Sequence, residues 1–180
     1  MTSDTTLLNE VLPRFDVNAE YSTSVHATPA RVYAILQQGM PAGAITKLLM
    51  TLRNLPRFFR REESFRNTPE NAFYKLKQLE NREMVVGIIG QFWKPISNPL
   101  PIHSLEEFLE FEKEGYCKAA MNLRILEKGP YLCVVTTETR VLCYGSARAK
   151  FLDYWKVIGP FSGLIRKELL RRIKKRAERR

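Results

Sequence analysis

Residues 146–180 read SARAKFLDYWKVIGPFSGLIRKELLRRIKKRAERR, and this stretch decides the fold. Phe151, Trp155, Ile158, Ser162, Ile165, Leu169 and Ile173 recur at spacings of three and four, which places them on one stripe of a helix. Ser146 stands where an N-cap belongs, with a hydroxyl able to accept from an amide of the first turn. The expected helix runs over about 146–178. Each large apolar side chain gains roughly 1.5–3 kcal/mol on burial, so the stripe has to be covered. The cover must come from the chain before it.

Working outward, that chain supplies strands. From Phe15 to His26 apolar or small residues alternate with polar ones: Phe15, Val17, Ala19, Tyr21, Thr23 and Val25 on one face, with His26 on the polar one. Residues 72–80 and 84–93 form a hairpin around Glu80-Asn81-Arg82, and Gly87 and Gly90 inside its second arm mark a bend or a close approach. Residues 116–126 alternate with Cys117, Ala119, Met121, Leu123 and Ile125 inward. Lys128-Gly129-Pro130 then turns the chain into the strand 131–144, which leads into the long helix. Thr28-Pro29 opens a short helix ending at Gly39, and 45–59 reads as a second one, in a segment that Arg53, Arg57 and, just past its end, Arg60 and Arg61 make basic. Ser104 and Glu107 match a capping box for a helix running to Lys113. Residues 1–14 read as a loosely held arm, docked if at all by Leu7, Leu8, Val11 and Leu12, ahead of a single domain over 15–180.

With 180 residues, 44% hydrophobic and 27% charged, the composition is that of an ordinary globular chain. No apolar run approaches the roughly 20 residues of a spanning helix, and the first ten residues lack a signal-peptide pattern, so a cytoplasmic protein is expected. Cys117, Cys133 and Cys143 make an odd count without a CxxC pair. They read as buried free thiols, and neither a disulfide framework nor a metal site is expected. The net charge is +10, of which residues 166–180 carry +7. Cations are favoured at a helix C-terminus by its dipole; contact with an anionic membrane surface is the other reading, and nucleic acid ranks last because no aromatics interleave the tail.

A strand, two short helices, further antiparallel strands and a long C-terminal helix resemble the helix-grip order of the START-like (SRPBCC) superfamily, which includes polyketide cyclases. Residues 21–36, 87–93, 137–141 and 151–177 carry the resemblance, and it is nearest to small bacterial members of that superfamily. It implies an α+β fold in which a curved antiparallel sheet of about six or seven strands wraps round the C-terminal helix. It also implies a cavity between sheet and helix for a lipid, polyketide or similar molecule, with no cofactor.

Aromatic and apolar walls with a few polar groups suit such a cavity. Trp93, Met121, Phe151, Trp155, Ile158 and Ser162 are the expected lining. Gly159-Pro160-Phe161-Ser162-Gly163 predicts a kink; its small residues either leave room for a ligand or let a strand pack close. Glu138 and Arg140 share one strand face, and they are a polar anchor for the ligand if that face is inward. The odd-numbered face is the more apolar, which favours an outward pair. The expected function is therefore non-catalytic binding of a hydrophobic small molecule. The alternative is a cyclase or hydrolase using Glu138, His26 or Tyr154 as acid–base groups; no nucleophile–base–orienter set is legible. The oligomeric state is not legible.

Overall fold

The computed structural model describes residues 6–38, 73–94 and 98–179. The expected basic helix at 45–59 lies outside the described residues. In chain order the elements are α1 (Leu7–Val11), β1 (Val17–Val25), α2 (Pro29–Gln37), β2 (Tyr74–Leu79), β3 (Glu83–Gly90), α3 (Leu105–Glu110), β4 (Cys117–Gly129), β5 (Leu132–Cys143) and α4 (Ala147–Glu178).

The strands form one antiparallel sheet in the order β1-β5-β4-β3-β2. Among the described residues it has five strands, not six or seven. These five are the runs that read as strands in the sequence, by alternation or as arms of a hairpin. Between β3 and β4 the described chain holds an isolated bridge, Ile89 to Leu100, and α3, so the further strands implied by resemblance have no counterpart there.

α4 lies over β1 and β5 and against α2. Ile165, Leu169, Leu170, Ile173 and Ala177 are buried, as the three-and-four spacing requires. The helix continues through Pro160 as one element. Ser146 makes no capping bond and itself has helical dihedrals. The chain enters instead through a tight turn at Gly145, whose φ of +56° suits glycine, with Ala147 N–H donating to the Tyr144 carbonyl. Thr28 and Ser104 do cap: their hydroxyls accept from the amides of Arg31 and Glu107. α3 stops at Glu110 rather than Lys113.

The opposite face of the sheet is also covered. α1 packs against β2, β3 and β4 through Leu8, Val11 and Leu12, all within 2% of full burial. Phe108 of α3 joins the same cluster with Leu76, Val85 and Ile89. Gly87 is required here, since a Cβ would stand 2.5 Å from the Leu76 side chain and 2.8 Å from the Phe108 ring. The chain before β1 is thus part of a second layer, and Glu83 fixes it by accepting from the Leu7 amide at 2.9 Å.

Cys117 and Cys143 face each other across β4 and β5 and are joined as a disulfide. This corrects the expectation of three free thiols. Two positions 26 apart in sequence become partners only through strand register. Cys133 remains free and buried, with its thiol against the Ala27 carbonyl, and burial pushes that thiol up.

Candidate functional site

The helix-facing side of the sheet holds two apolar clusters. One joins Val25, Leu123, Ile125, Cys133 and Val135 to Leu169, Leu170 and Ile173 of α4. The other joins Cys117, Ala119, Val141 and Cys143 to Ala147 and Phe151 at the start of α4. Strand register sets one transverse row between them: Val86 pairs with Met121, Met121 with Thr139, and Thr139 with Ala19. These four side chains belong to neither buried cluster and all remain half-buried. A row in the middle of a helix-facing sheet surface would be closed if sheet and helix filled each other.

α4 carries Ile158, Ser162 and Arg166, four residues apart and therefore on one helix face. Ile158 is half-buried, whereas Ser162 and Arg166 are 4% and 8% exposed. Arg166 Nε donates to the Thr139 hydroxyl at 3.1 Å, tying helix to sheet. Its Nη1 donates to the Ser162 carbonyl at 3.2 Å and to the Ser162 hydroxyl. Burial pushes the guanidinium down to about 10, so it stays charged at neutral pH. Among the described residues no carboxylate pairs with it. Tyr21 borders the site from β1, with its hydroxyl against Gly163 where a Cβ would stand 2.5 Å away. Close packing of a strand therefore accounts for Gly163. Gly159 lies against the Trp155 indole of its own helix.

Of the residues expected to line a cavity, Met121 is in the row, Ser162 is joined to it through Arg166, and Ile158 is half-buried one turn before Ser162 on the same helix face. Phe151 is core rather than lining: it is buried, and its ring stands 5.9 Å from Trp155 and 6.2 Å from both Phe92 and Tyr154. Trp93 and Trp155 are half-buried at the edge of that cluster. Arg166 is the residue that sequence reasoning missed, because it was counted with the basic tail. Its position four after Ser162 and three before Leu169 was the available signal, since that spacing puts it beside the apolar stripe.

Glu138 and Arg140 are not an anchor in this site. The even-numbered residues of β5 face away from α4. There Arg140 Nε donates to Glu138 at 2.7 Å, Nη2 donates to the same carboxylate at 3.2 Å, and Nη1 donates to the Leu12 carbonyl at 3.0 Å. Phe15 covers the guanidinium at 4.8 Å. The pair is outward with respect to α4, yet buried, because the segment between α1 and β1 lies over it. Asn122 completes this layer, donating to Glu83 and accepting from the Glu138 amide. Of the acid–base candidates, His26 is exposed at the far end of α4, where its amide and ring both meet Glu178. Tyr154 is half-buried beside Phe151. Among the described residues no cluster of side chains is suited to a metal ion, and no helix is long and apolar enough to cross a membrane.

No protein-family model matches the chain, and no curated protein matches it in sequence. Among solved structures it is similar to norcoclaurine synthase from Thalictrum flavum. A point mutant in complex with a transition-state analogue has a TM-score of 0.41 at 14% identity, over 88% of this chain and 92% of that one. The complex with dopamine and hydroxybenzaldehyde has a TM-score of 0.37 at 14% identity, over 95% of each chain. A protein of Thermus thermophilus has a TM-score of 0.33 at 8% identity, over 89% and 97%. At these scores the likeness carries no argument about function.

Proposed function

We propose that the protein binds a hydrophobic small molecule between the sheet and α4, without catalysing a reaction on it, and that it is a START-like protein of the bacterial type. The observation that carries the binding reading is the half-buried row Val86, Met121 and Thr139, flanked on both sides by closed apolar clusters. Apolar side chains held half-open between two packed regions gain by covering, at about 25 cal/mol per Å² removed from water. A lipid or polyketide-like body would supply that cover, with Trp93, Trp155 and Ile158 as its further walls. The placement among START-like proteins rests on element order and on the residues that carry the resemblance.

Native mass spectrometry of freshly purified protein tests the reading, together with thermal shifts across a panel of lipids and aromatic polyketides. A bound species of a few hundred daltons is expected, with stabilisation by members of the panel. A bare mass with no shift from any compound would remove the reading. Release of a chemically altered compound would favour the enzyme alternative.

A further inference from the structure

Three cations are buried among the described residues: Lys118, Arg140 and Arg166. Two are satisfied in ways that need nothing further. Lys118 Nζ donates to the Phe108 and Leu109 carbonyls at 3.1 and 2.9 Å, where the end of α3 leaves its carbonyls free. Arg140 holds a carboxylate with two bonds, a carbonyl with a third and a ring face with its plane. Arg166 differs from both. Its three bonds go to neutral oxygens on Thr139 and Ser162, and among the described residues its Nη2 hydrogens have no acceptor and no carboxylate pairs with it. A buried charge without a counter-ion is costly, and chains ordinarily replace it or pair it. Here the charge sits at the half-open row, where the proposed ligand lies.

We propose that the ligand of this site is an apolar molecule with a carboxylate or similar oxyanion head, and that Arg166 holds that head. This deepens the binding reading above and rests on it. The Nη2 group offers two N–H donors. The Thr139 and Ser162 hydroxyls already accept from the guanidinium, so each is left with a hydrogen to donate toward the same oxyanion. The Tyr21 hydroxyl borders the same space through its contact position at Gly163. The head position is thus offered the Nη2 donors and hydroxyl hydrogens, and the row continues from it as the apolar Met121 and Val86. That order, oxyanion donors and then apolar wall, fits an amphipathic monoanion rather than a neutral lipid or a free inorganic anion.

The test is direct titration of the full chain, freed of co-purified lipid, with cis-parinaric acid and separately with its methyl ester, followed by fluorescence. The wild type is expected to bind the acid about ten-fold tighter than the ester or better, the worth of a charge-assisted contact. Arg166→Gln is expected to bind acid and ester equally. Equal binding of acid and ester by the wild type would overturn the inference and leave the apolar-ligand reading standing. A preference for the acid that survives in Arg166→Gln would overturn the assignment to Arg166. Binding of neither probe would sink both readings. Arg166→Lys keeps the charge and loses the planar fork, so it should show an intermediate preference. If Arg166→Gln does not fold, the lysine variant decides, and an unchanged preference in it would overturn the proposal.

Discussion

Replacing Arg140 and Arg166 by methionine, one at a time, should give opposite outcomes, although both are buried to the same extent at 8% exposure. Arg140→Met leaves the Glu138 carboxylate, only 13% exposed, without the cation that holds it at 2.7 Å. It also deprives the Leu12 carbonyl of its donor and Phe15 of its cation. Removing one partner of a buried pair costs about 3–5 kcal/mol. In a domain of this size each kcal/mol lowers Tm by about 2–4 °C, so the midpoint should fall by on the order of 10 °C. Arg166→Met removes three bonds to neutral oxygens and leaves no stranded charge. The lost bonds, worth about 1.5 kcal/mol or more each because the donor is charged, are opposed by relief from burying a cation that has no counter-ion among the described residues, which costs several kcal/mol. The ligand-free variant should therefore lie within about 1 kcal/mol of wild type or above it. Urea unfolding with constant m-values measures both. If Arg166→Met cost as much as Arg140→Met, the distinction between a structural and an uncompensated arginine would be wrong.

Gly87→Ala should destabilise by about 1–3 kcal/mol in the same assay, since its Cβ would meet Leu76 and Phe108 inside a packed cluster; a neutral result would mean that α3 is not seated as described. Thiol titration of unfolded, non-reduced protein should find one reactive cysteine, Cys133, and a count of three would refute the Cys117–Cys143 bond. Glu178 lies below the usual carboxylate range because the His26 amide donates to it, with the His26 ring and Lys174 adding to the effect. A lowered folded value means stability that is present above the unfolded value of 4.5 and lost as pH falls through the folded one. Hydrogen exchange at the His26 amide, corrected for intrinsic rate, should therefore quicken as pH falls below 4.5, and Glu178→Gln should abolish the difference. Met121→Trp should fill the transverse row and block the fluorescent ester while the protein still melts cooperatively; undiminished binding would place the ligand elsewhere.

How much was legible divides along physical lines. Periodicity, turn residues and caps are local properties, so the strands of the sheet, the capped helix at Thr28-Pro29 and the stripe on α4 could be read along the chain. The outward direction of Glu138 and Arg140 followed from the same alternation, since the apolar odd-numbered residues of β5 must face the helix. Ser146 misled because a hydroxyl at the right position is only permission to cap, and the Gly145 turn gave the helix another entrance. The strand count was overstated where resemblance, rather than alternation, supplied it.

The remaining facts depend on which residues meet across the sheet, and no local pattern encodes that. Register alone brought Cys117 opposite Cys143 and lined up Val86, Met121 and Thr139 into a row. Docking of α1 and α3 turned a polar strand face into a second buried layer, where Lys118, Asn122, Glu83 and the Glu138–Arg140 pair find their partners. Arg166 is one more cation in a basic tail when read along the chain. In three dimensions it is a charge buried between helix and sheet beside the half-open row, because burial is set by what lies opposite a side chain and not by its neighbours in sequence. The sequence determined that α4 had to be covered; only the tertiary structure decided what its cover leaves open.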